Sequence, residues 1–326
     1  MTPLIIINNA AAKARRAWPA VKRLLDSAGV VVESYETTGP GDATVRTRDA
    51  LRARVMTIGV VGGDGTLSEA AEGFFEFNRS LADPPSPINP SASLAVLPAG
   101  TGDDFARGLT NGNRASLEHW TTIFIAHCVS YSYASNNDQT KLIDVLYGSC
   151  NDYCTPFICL NASTMGIGGE TATRVAAQGE LIRRLSGEAR FAAAALVSIA
   201  HWRERRVRVS VDDKTLVDGP MNLAAVANAL YAGGGMMLSP EARFDDGRLD
   251  VVTASGLHRL AVVRELGRIH KGGHIANPKV KIMQGNKVRI ETFSPDDAMP
   301  IEVDGNVRGF TPVEFRVLPA ALRFVV

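Results

Sequence analysis

Carboxylates set among glycines occur at four places along this 326-residue chain that could do chemistry. In VVGGDGTLSEA, Asp64 lies in a glycine turn where an apolar run gives way to a helical pattern, with Thr66 or Ser68 placed to cap the helix. Glycines permit positive φ and let main-chain N–H groups approach a ligand closely, and a helix start adds donors and a positive dipole end. Such a turn suits an anion, yet it carries a negative charge. A carboxylate beside phosphate makes chemical sense where Mg²⁺ bridges the two, or where it takes a proton from an attacking hydroxyl. The bland alternative is a tight turn with a solvated aspartate.

The turn lacks the GK[ST] ending of a P-loop. It nearly satisfies the dinucleotide pattern GxGxxG, but the only acid about 20 residues on is Asp83, in a proline loop, and Asp64 would repel a bare pyrophosphate. SLAVLPAGTGDDFARGL repeats the arrangement after the next apolar run, with Thr101 supplying a hydroxyl before a helix that starts near Asp103. For Asp103 and Asp104 helix capping is the plain role. In a doubly wound sheet two such loops at adjacent strand ends face one crevice, where ligands bind.

Farther on, Gly233, Gly234 and Gly235 precede Asp245, Asp246 and Asp250 around Gly247, without the register of an EF-hand loop. One carboxylate with neighbouring carbonyls could serve a hard cation; a plain turn with DG at its corner is the competing reading. IEVDGNVRG reads as a hairpin with Asp304 and Gly305 at its corner.

These residues need elements to hold them. Up to about residue 135, short apolar runs (LIIINN, VVVESYET, VMTIGVVGG, SLAVLPAG) alternate with helical patterns, which predicts a mostly parallel sheet covered by helices. After about Ile143 the runs become short, β-branched and separated by turn residues, as expected of an antiparallel sandwich or barrel, interrupted by helical patterns from Glu170 to about Arg206 and from Leu257 to Lys271. The expected domains are residues 1–135 and 136–314.

Composition is that of a soluble globular protein, 45% hydrophobic and 21% charged. Lys+Arg at 35 against Asp+Glu at 34 gives a net charge of +1, no footprint for nucleic acid. The longest apolar stretch, Phe191 to Trp202, is too short to span a bilayer, and the N-terminal run is too short for a signal peptide. Cys128, Cys150, Cys154 and Cys159 form no CxxC pair and read as reduced thiols of a cytoplasmic protein.

Taken in order, GGDGT at 62–66, LPAGTGDDFARGL from Leu97, IDV at 143–145, ANALYAGGGM with SPEARFDDGRLDVV, KGGH at 271–274 and VDGN at 303–306 resemble the diacylglycerol kinase catalytic-domain family, which includes bacterial lipid kinases and the sphingosine and ceramide kinases. GGDGT is shared with NAD kinases and phosphofructokinases; the GGGM to DDGRLD run is more specific. The resemblance implies an N-terminal doubly wound α/β nucleotide domain of NAD kinase and phosphofructokinase type, then a C-terminal antiparallel β-sandwich that helps build the lipid site. It places the active site in the cleft between them, with residues 315–326 returning to the first domain.

The same resemblance places ATP contacts on Asn8, Thr37, Gly62, Gly63, Asp64, Gly65, Thr66 and Thr101. It places a magnesium loop on Asp246 flanked by Arg243 and Arg248, which offer carbonyls, and the catalytic acidic motif on Asp304 and Asn306. The family's glutamate is thus replaced by Asn306, an amide that neither takes a proton nor carries charge. The expected reaction is transfer of the γ-phosphoryl group from ATP·Mg²⁺ to a lipid hydroxyl, with Asp304 or Asp64 as base. The alternatives are a nucleotide- or lipid-binding pseudokinase and a kinase of a soluble acceptor. The expected partners are ATP and a lipid at the inner face of a membrane, met without a transmembrane segment, with a homodimer left open. His274 is read as structural. A tryptophan beside arginines in AHWRERR would suit a headgroup interface, but a sandwich-packing helix is the preferred reading.

Overall fold

The computed structural model describes all residues except 1, 79–82, 133–138, 151–154, 180–181 and 183–186. In chain order the principal elements are β1 (Leu4–Ile7), α1 (Ala12–Ser27), β2 (Glu33–Glu36), α2 (Asp42–Arg52), β3 (Thr57–Gly62), α3 (Asp64–Glu72), β4 (Ser93–Pro98), α4 (Asp104–Leu109) and α5 (Leu117–Ser132). They continue with β5 (Thr140–Cys150), β6 (Phe157–Cys159), β7 (Ala162–Gly166), α6 (Ile167–Ala176), α7 (Gly187–His201), β8 (Arg205–Val211), β9 (Lys214–Met221) and β10 (Leu223–Ala227). The last are β11 (Leu249–Ala254), α8 (Arg259–Arg268), β12 (Val280–Gly285), β13 (Lys287–Thr292), β14 (Pro300–Val303), β15 (Asn306–Phe310) and β16 (Val313–Val325). The chain divides into two compact units, 1–145 with 319–326, and 146–318.

In the first unit β2, β1, β3 and β4 lie side by side in that order, all parallel, and the end of β16 joins parallel to β4 through Arg323 and Phe324. Every residue of β1 and β3 is buried. Such strands are apolar on both faces, so helices must cover both; α1 packs with α5, and α2 with α3. Phe105 and Phe324 meet edge to face with ring centroids 5.0 Å apart, tying α4 to the C-terminal strand. Strand order reverses between β1 and β3, the place where open α/β sheets bind ligands beyond their carboxyl ends.

The second unit holds a six-stranded antiparallel sheet, β12–β11–β10–β7–β14–β15. Opposite it lies an antiparallel set, β9–β8–β13 and the start of β16. Side chains alternate along each strand, so Val207, Val209 and Val211 point inward from β8, Val288 and Ile290 from β13, and Phe315 from β16. They share one buried core with Val226, Val251, Ile301 and Val303 of the facing sheet. Removing a ring as large as that of Phe315, which meets Phe157 at 5.8 Å, costs about 3–5 kcal/mol.

Three expectations change. The helical pattern from Glu170 to about Arg206 is two helices, α6 and α7, and the chain is already strand at Arg205. Part of RVAAQGELIRRL lies outside the described residues. The four thiols are not all reduced: Cys150 is disulfide-bonded, Cys128 and Cys159 are free and buried, and Cys154 lies outside the described residues. Finally, α3 begins at Asp64 with Gly63 as its N-cap, so Thr66 and Ser68 are buried inside the helix rather than capping it.

Candidate active site

Asn8, Thr37, the turn at 62–66 and Thr101 follow the carboxyl ends of four neighbouring parallel strands, β1, β2, β3 and β4. Asn8 spans the switch point between β1 and β3: its N–H donates to Val61 O at 3.0 Å, and its Nδ2 donates to Thr66 Oγ1 at 2.7 Å. The Thr37 N–H donates to Ile7 O at 2.9 Å, while Thr101 is exposed.

The glycines at β3 and β4 serve close approach rather than positive φ. Gly63 has φ −99°, a value open to any residue, but a Cβ on Gly100 would lie 2.5 Å from Gly63 Cα and 2.7 Å from Asp103 Oδ1. The two loops therefore touch backbone to backbone. Around that contact Asp103 Oδ1 accepts from Gly100 N at 2.8 Å, and Lys13 Nζ donates to Gly100 O at 3.0 Å.

Asp64 answers the puzzle of a negative charge in this turn. Its Oδ2 accepts from Asp104 N and its Oδ1 from Phe105 N, both at 3.0 Å, so it caps α4 from another loop. Asp103, the residue before α4, has φ +50° and gives that helix no side-chain cap. Burial pushes the Asp103 carboxyl up to about 6, helped by the charge of Asp64 and opposed by the Gly100 N–H, Lys13 and Arg114. The N-cap of α3 is Gly63, which has no side chain to cap the helix, and a helix start of this kind favours an anion.

In the second unit the hairpin corner is occupied by Asp304 and Gly305, both left-handed at φ +46° and +91°, as a two-residue hairpin of this kind demands. Asp304 is 7% exposed, and its carboxylate accepts from Leu160 N at 2.8 Å, Asn161 N at 2.9 Å and Ala162 N at 3.2 Å, with Cys159 Sγ at 3.6 Å. Burial is the first cause, and this carboxylate the next, that push the Cys159 thiol up. Asn228 of the ANAL segment ties into the same strip, its N–H donating to Asn161 O and its Nδ2 to Leu160 O.

Glu302, two residues before Asp304, has no sequence signal beyond its place in an alternating strand. It is half-buried; Oε2 accepts from Thr164 Oγ1 at 2.6 Å and Oε1 from Gly305 N at 2.5 Å. Burial pushes its carboxyl up to about 7, the Thr164 and Gly305 bonds oppose this, and the charge of Asp304 adds to it. Asn306 opens β15 opposite Val303.

Asp246 lies exposed in a turn, its Oδ1 accepting from Arg248 N at 3.0 Å; Arg248 is exposed, and the equally exposed Arg243 pairs with Asp245 at 3.2 Å. Nearby Asp250 is buried, which pushes its carboxyl up to about 6. Among the described residues no group of three His, Cys, Asp or Glu side chains could hold a metal. A cation caged by protein alone does not fit; one that arrives on phosphates and takes a single carboxylate, as Mg²⁺ does, fits Asp246. His274 is buried against Leu238 O at 3.1 Å, a structural position, and burial pulls its pKa down.

Residues 2–132 match the family model described as diacylglycerol kinase catalytic domain, and residues 165–326 match the YegS C-terminal NAD kinase beta sandwich-like domain. A diacylglycerol kinase of Staphylococcus carnosus is 26% identical over 305 residues, covering 92% of this chain and 86% of that protein. A protein of Klebsiella pneumoniae named "probable lipid kinase YegS-like" is 25% identical over 324 residues, covering 98% and 94%. A solved diacylglycerol kinase structure from Bacillus anthracis str. Sterne superposes with a TM-score of 0.67 at 19% identity, covering 99% of this chain and 96% of the other.

Proposed function

The chain belongs to the diacylglycerol kinase catalytic-domain family of lipid kinases, and from that premise we propose that it transfers the γ-phosphoryl group of ATP to a hydroxyl of diacylglycerol or a similar lipid. The observation that carries this reading is the backbone contact of Gly63 with Gly100 at the ends of β3 and β4, beside a helix start with no side-chain cap. Main-chain donors of Gly63 to Gly65 and the hydroxyls of Thr66 and Thr101 hold the nucleotide phosphates, with Asn8, Thr37 and Gly62 shaping the pocket. A phosphoryl group passing through a loose transition state needs positioning and charge stabilisation more than covalent help. Asp64 serves by holding the start of α4 in register. Asp246, with the carbonyls of Arg243 and Arg248, would hold Mg²⁺, which would neutralise phosphate charge. Asp304 fixes the 160–162 strip on the acceptor side.

No helix among the described residues is long and apolar enough to cross a membrane. The lipid is met at a membrane surface, a reading favoured by α7, where Leu196 and Val197 stand 54% and 44% exposed. The test is transfer of labelled γ-phosphate from ATP·Mg²⁺ to mixed micelles of diacylglycerol, monoacylglycerol, sphingosine, ceramide or undecaprenol. Label in the organic phase supports the reading and names the substrate.

Asn306 favours a second reading, a pseudokinase that binds nucleotide or lipid without turnover. Thermal stabilisation by ATP·Mg²⁺ with no label in any lipid would select it. Label in a soluble acceptor alone would point instead to chemistry like that of the NAD kinases.

A further inference from the structure

The segment from Gly256 to Gly285, wholly within the second unit, concentrates a positive charge that the chain as a whole lacks. It holds Arg259, Arg264, Arg268, Lys271, Lys279 and Lys281 against one acid, Glu265, whereas the full chain sets 35 Lys and Arg against 34 Asp and Glu. Glu265 is buried beneath α8, where it pairs with Arg264 at 3.0 Å and Arg268 at 3.3 Å and accepts from Asn277 Nδ2 at 3.0 Å. Lys279 and Lys281 donate to the carbonyls of Gly256 and Leu216, bonds that leave their charge in place.

α8 turns Val262 and Leu266 toward the core of the sandwich, and Ile269 just beyond it also packs inward. At 3.6 residues per turn this puts Leu260, Val263 and Gly267 in one stripe, at i, i+3 and i+7, on the outward face. Leu260 is 79% exposed and Val263 41%, and a Cβ added to Gly267 would meet nothing. Arg259 flanks the stripe on one side and Arg264 and Arg268 on the other, all of them exposed. One exposed leucine is ordinary on a protein surface, but an apolar ridge running between cations on the solvent face of a helix is not.

We propose that the outward face of α8, with Lys271, Lys279 and Lys281, is the surface by which the second unit lies on an anionic lipid bilayer. Leu260 and Val263 enter the boundary between headgroups and acyl chains, while the arginine stems lie along it and carry their guanidinium groups to the phosphates. The lysines add long-range attraction to the anionic surface. A nucleic acid or an acidic protein would pair with the cations and gain nothing from the ridge, and a neutral bilayer would accept the ridge and leave the cations unused. Only an anionic bilayer uses both. This docking goes beyond the lipid kinase reading and needs no turnover.

The experiment is co-sedimentation of the full chain, without ATP, with vesicles of phosphatidylcholine alone or with about a third phosphatidylglycerol, near the anionic fraction of a charged leaflet. The vesicles contain no diacylglycerol, so capture through a substrate site does not contribute, and absence of kinase activity leaves the result unaffected. Wild type is compared with Leu260→Ser/Val263→Ser and with Arg259→Gln/Arg264→Gln, all at exposed positions, with thermal midpoints as the folding control. In the second variant Glu265 keeps Arg268 and Asn277. Wild type should bind the anionic vesicles, more weakly as salt rises, and should bind the neutral ones poorly. Each variant should bind the anionic vesicles about tenfold more weakly or worse. Wild type that ignores anionic vesicles, or binds both kinds alike, overturns the proposal. So does binding left intact in both variants, as docking through α7 alone would give. Loss in the arginine variant alone also overturns it, in favour of an acidic macromolecule, and loss in the apolar variant alone overturns the requirement for anionic lipid.

Discussion

Asp64 and Asp304 sit at glycine turns in different units, and each uses its carboxylate to gather main-chain N–H groups from a distant segment. Asp64 takes two, from the start of α4 some 40 positions on. Asp304 takes three consecutive ones, from residues more than 140 positions earlier. The first works at a helix start, where the positive dipole end already favours an anion and the site is half-open. The second works in a buried strip between β6 and β7. The same device is therefore a cap in one unit and a keystone in the other, and removing it should cost very different amounts.

The largest effect is expected from Asp304→Ala, which leaves three buried N–H groups without their acceptor and should lower the stability of the second unit by about 3–5 kcal/mol. Urea unfolding followed by hydrogen exchange at Leu160 to Ala162 reads this locally; a loss below about 1 kcal/mol would make the two aspartates equivalent. Gly100→Ala should follow, because its Cβ meets backbone at 2.5 Å. Overpacking of that kind costs about 1–3 kcal/mol, and ATP binding by calorimetry should weaken with it. Asp64→Asn keeps one acceptor oxygen and should cost only about 1 kcal/mol. Phosphoryl transfer should nonetheless be lost in both Asp64→Asn and Asp304→Asn while ATP still binds, and full activity in both would remove the roles assigned to them.

The smallest effects lie in the pH dependence of stability. Asp103 and Glu302 have folded pKa values raised to about 6 and about 7, above the ordinary carboxylate range. Each therefore contributes stability that is complete below about pH 4 and is lost as pH rises through the folded value. Thermal midpoints measured from pH 4 to 8 should show that Asp103→Asn flattens the fall that ends near pH 6, while Glu302→Gln flattens one that extends to about pH 7. Identical profiles for both variants would deny the difference between the two environments.

The fold class was legible because its signals are local and periodic: β1 and β3 are unbroken apolar runs, and β8 alternates Val207, Val209 and Val211. Only the family resemblance groups Asn8 and Thr37 with the 62–66 turn and Thr101 in the sequence; in the structure all four follow the ends of neighbouring strands. What was not legible depends on contacts across long separations. GDG at 63–65 announces a turn but not that Asp64 reaches α4, and the need for Gly100 arises from Gly63 on a neighbouring strand. Nothing in the sequence marks Glu302, whose carboxylate is held by Thr164, 138 positions earlier, and by Gly305. The single helical stretch read from Glu170 is two helices, α6 and α7, with Gly179 in the chain between them.

The central claim is that ATP·Mg²⁺ and a lipid alcohol are the reactants. Its most direct test is mass spectrometry of the lipid phase after incubating the purified chain with ATP·Mg²⁺ and dioleoylglycerol. The predicted result is dioleoyl phosphatidic acid formed with enzyme and ATP together and with neither alone. Unchanged diacylglycerol, with ATP bound and no lipid of the wider panel phosphorylated, would contradict it.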